Sequence, residues 1–416
     1  MVIFREKYIY NIEKFFLEQK KITFLIWPRR VGKTFLMQMF YKKFEKESVW
    51  VSFEEFLWIS FKSVEEFLYF LEKQTGKKDF KYIFLDEIQL VPGISWILKK
   101  LYDDPNYDYF ILCSGSWSFN VFSVVEDSLV WRVKIIDVYP LDFAEFIKFK
   151  ADLDLEDFYN KFSLPILNKY WFYLEEFLRF GWYPEVVLAS TEEEKVDILN
   201  DIVKLWLDKD IKLLLKAQDI LDFSKFFKWI ARRITSIFKV WTLSSELGVK
   251  YHKIKNFFEI LKKSYILLTL PVLTEKYPYE LKAWEKIYFV DNGLLNSVLW
   301  DFSLEWRWDI IENFVISEIL RNKKSIYKYY FWKKVNQSEI DMVIKNVLEN
   351  VYYPIEIKSK STSAIPKVFY SFSKIYNSKL GIVFNKDQLI TKKNQNLKVK
   401  IVPYFFSPVY EVILKD

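Results

Sequence analysis

The stretch Ile26-Trp27-Pro28-Arg29-Arg30-Val31-Gly32-Lys33-Thr34 constrains this chain more than any other. It keeps the spacing of a phosphate-binding loop, G-x-x-x-x-G-K-[ST]. In such a loop backbone N–H groups wrap the phosphates, the lysine reaches the β/γ-phosphates and the hydroxyl ligates Mg²⁺. An apolar run, Ile22 to Ile26, enters it as a strand, and Phe35-Leu36-Met37 opens a helix whose N-terminus faces the phosphates. The expected ATP contacts are therefore Trp27, Pro28, Arg29, Arg30, Val31, Gly32, Lys33 and Thr34, with Thr34 also on Mg²⁺. One position departs from the pattern. Trp27 stands where the first glycine belongs, and a Cβ with an indole crowds a turn that uses glycine for its freedom in φ.

That departure belongs to a wider imbalance. The 416 residues include 8 Gly and 16 Trp, against roughly 29 Gly at an ordinary frequency of about 7%. Trp27, Trp131, Trp182, Trp300, Trp306 and Trp308 all sit where turn chemistry favours glycine, whereas Trp332 lies in an aromatic strand and reads as genuine. The expectation is that the source reads UGA as glycine and that these codons were rendered as tryptophan.

A second motif supports the first. Lys81 to Leu85 is a mostly apolar strand ending in Asp86-Glu87. Its Asp86 suits the Mg²⁺ shell and its Glu87 the polarisation of an attacking water. A third strand, Tyr109 to Cys113, ends at Ser114, placed to sense the γ-phosphate. A fourth, Val133 to Val138, follows Arg132, which reads equally as an arginine finger acting in trans within a homo-oligomer or as a structural salt bridge. Alternating strands and helices predict a parallel α/β sheet with the nucleotide at the strands' carboxyl ends.

The GKT, the Leu85-Asp86-Glu87-Ile88-Gln89 run, the Ser114-Gly115-Ser116 turn, Tyr139-Pro140-Leu141 and the Phe180-Gly181-Trp182-Tyr183-Pro184 run resemble the prokaryotic AAA-family P-loop ATPases that carry a C-terminal domain of unknown function of the DUF4143 type. The resemblance covers nearly the whole chain. It implies ATP hydrolysis, and it places glycine at the positions of Trp27, Trp131 and Trp182.

Beyond residue 150 the reading is mostly helical. Thr242 to Val249 and Tyr251 to Phe258 flank Gly248 as helix, turn, helix, continuing into a strand, a winged-helix spacing. Lys250, Lys253, Lys255, Lys262 and Lys263 suit phosphate contacts or a merely solvated face. Further on, Glu339 to Ile344 and Tyr352 to Lys358 form two strands carrying Asp341 and Glu356-x-Lys358. Alternation puts Glu356 and Lys358 on one face. This is the D…E-x-K arrangement of the restriction-endonuclease-like fold, where two carboxylates hold Mg²⁺ and the lysine activates water. Glu318, on a helix upstream, is the expected third carboxylate.

The expected organisation is an ATPase domain over 1–150, a helical and winged-helix-like segment over 151–275 and a restriction-endonuclease-like α/β domain over 276–416. A net charge of +7 is compatible with DNA or RNA as a partner. One cysteine, one histidine and no apolar run of transmembrane length point to a cytoplasmic protein without disulfides, His-based metal clusters or membrane spans. A UGA codon at position 27 is the expected result of reading the source gene, and UGG there excludes the recoded-glycine account of that residue.

Overall fold

The computed structural model describes every residue except 1–4, 27–28, 57–58, 116–128, 130, 275–283, 306, 335–338, 395 and 416. The chain divides into two compact units, Met1–Pro140 with Lys263–Tyr265, and Leu141–Lys262 with Ile266–Asp416. The winged-helix-like and C-terminal segments thus share the second unit.

In the first unit, short apolar runs without polar alternation become strands covered on both faces, as parallel strands are. They are β1 (Ile22–Ile26), β2 (Ser48–Ser52), β3 (Tyr82–Asp86), β4 (Phe110–Gly115) and β5 (Val133–Asp137), joined in parallel in the order β2-β3-β4-β1-β5. Every residue of β1 is buried. Helices α1 (Lys33–Lys43), α2 (Val64–Thr75) and α3 (Ile94–Asp103) connect the strands. Ser63 starts α2 by accepting the Glu66 N–H, and Gly76 ends it in the left-handed region. The strand order sets β4 between β1 and β3, so the ends of these three strands carry the phosphate loop, Asp86 and Ser114 side by side. Cys113, the lone thiol, is wholly buried in β4.

The second unit opens with helices, including α4 (Leu164–Phe180). A small sheet follows: β6 (Ile237–Phe238), then α5 (Val240–Leu247) and α6 (Tyr251–Lys263), then β7 (Leu267–Pro271) and β8 (Glu285–Phe289), paired antiparallel in the order β6-β8-β7. Gly248 turns α5 into α6 at φ +64°. This is the helix-turn-helix spacing read from sequence, with a wing. After α7 (Asn292–Leu299) and α8 (Trp308–Arg321) comes a six-stranded mixed sheet. Its strands are β9 (Tyr327–Lys333), β10 (Glu339–Asn346), β11 (Val351–Ile357), β12 (Leu380–Asn385), β13 (Ile390–Asn394) and β14 (Leu397–Pro403), ordered β13-β14-β12-β11-β10-β9. Helix α9 (Lys367–Tyr376) covers it with Val368, Phe369, Phe372 and Tyr376. No helix among the described residues is long and apolar enough to cross a membrane.

The tryptophans sort into two kinds. Trp300 ends α7 in the left-handed region at φ +55° with its indole 75% exposed, a position where glycine carries no steric penalty. Trp131 is 83% exposed in a turn. Of these two, only Trp300 has the backbone conformation that favours glycine. Trp182, by contrast, is fully buried and stacks on Phe177 at 4.4 Å, although its Nε1 has no partner. Trp332 packs edge-on against Phe372. Trp306 lies outside the described residues.

Asp291 ties the second unit together. Its Oδ1 accepts the Leu294 N–H that starts α7, at 2.7 Å, and its Oδ2 accepts the Trp182 N–H at 3.0 Å. Gly293 allows the close approach, because a Cβ there would run into the Phe180 carbonyl. Burial pushes the Asp291 carboxyl up to about 6, against the pull of its backbone hydrogen bonds. A raised carboxylate means the folded state holds its proton longer than the unfolded chain. Its contribution to stability is therefore greatest below pH 4, falls as pH rises toward 6 and is flat above. Relative to Asp291→Asn, the wild type should lose about 3 kcal/mol of stability between pH 4 and 7. Urea unfolding of both proteins across that range measures it, and parallel pH profiles would refute the assignment.

Candidate nucleotide site and a carboxylate cluster

The phosphate loop is shaped by two left-handed residues, Arg30 at φ +65° and Gly32 at φ +91°. Alternation of hand turns successive N–H groups toward one concavity, which suits an anion. Nothing lies within 4 Å of the place a Gly32 Cβ would take, so glycine is needed there for φ alone. Val31, between the two, is buried, and its carbonyl accepts a hydrogen bond from Arg5 Nη1 at 3.2 Å. Arg5 Nη2 donates to the Pro140 carbonyl at 3.1 Å. Arg5 therefore pins the loop from beneath. Arg29 pairs with Glu54 at 3.1 Å, and Arg30 is exposed. Trp27 and Pro28 lie outside the described residues.

Lys33 opens α1 and is 6% exposed. Thr34 Oγ1 donates to Asp86 Oδ2 at 3.3 Å, and the Ser114 hydroxyl donates to Asp86 Oδ1. Burial raises the Asp86 carboxyl above the ordinary carboxylate range, and Glu87 adds to this, while Ser114, Lys33 and Thr34 oppose it. A hydroxyl and a carboxylate that already touch, beside a buried ammonium and the start of a helix, are a donor set that fits Mg²⁺ with a nucleotide phosphate. Glu87 follows in the left-handed region at φ +52° and accepts a hydrogen bond from Gln89 Nε2. Such backbone strain, about 1–3 kcal/mol, concentrates at functional sites. Arg132 forks onto Asp103, Nε to Oδ1 at 2.5 Å and Nη2 to Oδ2 at 2.8 Å. Of its two readings this geometry favours the structural salt bridge.

Two of the lysines of α6 are committed within the unit. Lys253 pairs with Asp219 and Asp222, and Lys262 pairs with Glu285 and Glu259.

In the C-terminal sheet, Asp341 and Glu356 do come together. The register of β10 on β9 shifts between Ile340 and Val343, a bulge that frees Asp341 from strict alternation. Asp341 Oδ2 then accepts the Ile357 N–H at 2.9 Å, and Lys358 Nζ bonds Glu356 Oε1 at 2.7 Å. Glu318 does not join them. Its Oε2 accepts the Phe143 N–H at 3.0 Å and its other oxygen pairs with Arg321. The helical carboxylate of the cluster is Glu312, six residues earlier and so about 120° round the helix.

Glu312 is fully buried, its Oε1 bonded by Lys286 Nζ at 2.9 Å and by the Tyr288 hydroxyl at 3.0 Å. The same Lys286 Nζ lies 2.9 Å from Glu339 Oε1 and 3.8 Å from Asp341 Oδ1. Burial pushes Glu312 and Glu356 each up to about 7 and raises Asp341. Burial works against the Lys286 charge, yet Tyr288, Glu312, Asp341 and Glu339 hold its pKa well above the usual range. Among the described residues no group of three or more His, Cys, Asp or Glu side chains is arranged to hold a metal ion. Sequence reading missed Arg5, Lys286 and Glu312, because nothing local distinguishes a buried charged group from a solvated one.

Residues 19–147 match the AAA domain family, residues 309–406 match the domain of unknown function DUF4143, and residues 172–305 match a further domain of unknown function, DUF8612. The chain thus carries an AAA domain followed by a DUF4143 domain. It is 28% identical to an uncharacterized protein of Methanocaldococcus jannaschii over 92% of this chain and 87% of that protein. Among solved structures it is similar to the Thermotoga maritima RuvB Holliday junction branch migration motor (16% identity, 65% of this chain, 93% of that one, TM-score 0.29). It is likewise similar to AMPPCP-bound DnaA from Aquifex aeolicus (15% identity, 63% and 91%, TM-score 0.28).

Arg5→Met, which keeps the bulk and removes both hydrogen bonds, should weaken nucleotide binding by about 5–30-fold, the equivalent of about 1–2 kcal/mol. Titration with a fluorescent ATP analogue checks this, and unchanged affinity would remove Arg5 from the site.

Proposed function

From an AAA domain joined to a DUF4143 domain, we propose that the protein is a Mg²⁺-dependent ATP hydrolase whose nucleotide state acts on a nucleic-acid-binding C-terminal domain. The observation that carries the first half is the contact of Thr34 and Ser114 with Asp86 beside the buried Lys33. In this reading Lys33 and the loop N–H groups bind and orient the β/γ-phosphates. Thr34 and Asp86 hold Mg²⁺, which when bound neutralises phosphate charge. Ser114 fixes the Asp86 carboxylate and places a hydroxyl beside the terminal phosphate. Glu87, directed by its left-handed backbone and its Gln89 contact, accepts the proton of the attacking water.

For the second half, the support is the meeting of Asp341, Glu356 and Lys358 on adjacent strands of a mixed sheet, the restriction-endonuclease-like arrangement. The partner is DNA or RNA. The ion pairs of Lys253 and Lys262 make the C-terminal mixed sheet, rather than α6, the first place to look for contact.

Lys33→Ala should lose at least about 100-fold in ATP affinity. Glu87→Gln should bind ATP within about threefold of wild type while turnover falls by about 10²–10³-fold. Phosphate release measured with the Trp27→Gly protein alongside tests the loop directly: the glycine form should turn over faster. Equal turnover by all four proteins would refute the ATPase reading.

A further inference from the structure

The restriction-endonuclease-like reading implies a divalent cation between Asp341 and Glu356, and the residues present do not fit one. We infer that Lys286 is the resident cation of this carboxylate cluster, standing in for the metal, so that the domain binds nucleic acid without metal-dependent cleavage. The inference rests on the proposed reading of the C-terminal carboxylates.

Three observations carry it. First, the Lys286 ammonium is surrounded by three carboxylates from two elements: Glu312 on α8 at 2.9 Å, and Glu339 and Asp341 on β10 at 2.9 and 3.8 Å. A Mg²⁺ ion needs oxygens at about 2.0–2.1 Å, and Lys286 Nζ already bonds Glu312 and Glu339 and stands 3.8 Å from Asp341 Oδ1, so an ion drawing on these carboxylates would meet the ammonium at close range. Second, the lysine is enclosed at this position. It sits in β8, the central strand of its sheet, opposite Ile237 of β6 on one side and Leu270 of β7 on the other, and its side chain is 3% exposed. Third, the charges are already close to balanced. Glu312, Glu339, Asp341 and Glu356 face Lys286, Lys333 and Lys358. Four carboxylates against three ammoniums leave a formal charge of about −1, which a divalent ion would reverse rather than neutralise. The winged-helix sheet thus supplies, through β8, the counter-charge for the neighbouring domain's acidic residues.

The test is Mn²⁺ binding by calorimetry on nucleotide-free full-length protein, comparing wild type with Asp341→Asn, Lys286→Ala and Lys286→Arg. Wild type and Asp341→Asn should give the same heats, since any Mn²⁺ held near Asp86 is common to both. Lys286→Ala should gain a one-to-one site at least about 100-fold tighter, abolished by adding Asp341→Asn, and Lys286→Arg should gain none. A wild-type site that disappears in Asp341→Asn overturns the inference, and this comparison holds even if Lys286→Ala fails to fold. A folded Lys286→Ala that takes up no additional Mn²⁺ overturns it as well. Anisotropy with labelled DNA and RNA separates this from the wider reading. Loss of all nucleic-acid binding in wild type with the metal results as expected would sink the proposed function of the domain and leave Lys286 as its resident cation.

Discussion

Helix α8 is buried along most of its length, and the polar groups it carries into the interior must be answered there. The answers come from several elements. Glu312 takes Lys286 and Tyr288 of β8, and Asn313 bonds both the N–H and the carbonyl of Phe289 and reaches Asn292. Glu318 takes the Phe143 N–H, and Arg321 donates to the Leu141 carbonyl. The helix therefore fixes the small sheet, the turn into α7 and the start of the unit by polar contacts that tolerate little displacement. Apolar packing alone would allow sliding at modest cost, while an orphaned buried charge costs several kcal/mol. Specificity of arrangement in this unit rests on these contacts.

The first unit solves a different problem. The central strands of its sheet are mostly apolar on both faces, and the polar groups of the candidate site stand at the strand ends. There Asp86 accepts from two hydroxyls yet remains raised by burial. A carboxylate held in that condition gains more from a cation than a solvated one does, which is why the same residue that is costly in isolation is suited to a metal with phosphate. Arg5 completes the design from the far side of the loop, its guanidinium holding a backbone carbonyl rather than a ligand.

Local pattern made the first unit legible. The apolar runs at Ile22, Lys81, Tyr109 and Val133 became parallel strands, and the phosphate loop, Asp86 and Ser114 met because sheet order follows from βαβ connection rules. Gly248 and the strands carrying Asp341 and Glu356 were legible for the same reason, since period and turn chemistry are local. Glu318 was misplaced because a helix offers several carboxylates, and only the tertiary direction of α8 selects Glu312. Lys286 was illegible altogether. In sequence it follows a glutamate and precedes an apolar run, and only the pairing of β8 on both sides turns it inward. Arg5 was invisible for the same reason, its partners lying 26 and 135 residues away.

The lone cysteine gives this sheet a clock. Cys113 is enclosed in β4, bonded to β1 and β3 on either side, and burial raises its thiol well above the ordinary range, so it is inert while the strand is closed. Alkylation must wait for the sheet to part. Since the next residue along is Ser114, whose hydroxyl is fastened to Asp86, anything that tightens that fastening slows the reaction. With one sulfhydryl in the chain, the lag before a maleimide attaches reports how often these three strands separate, without a label having to be engineered.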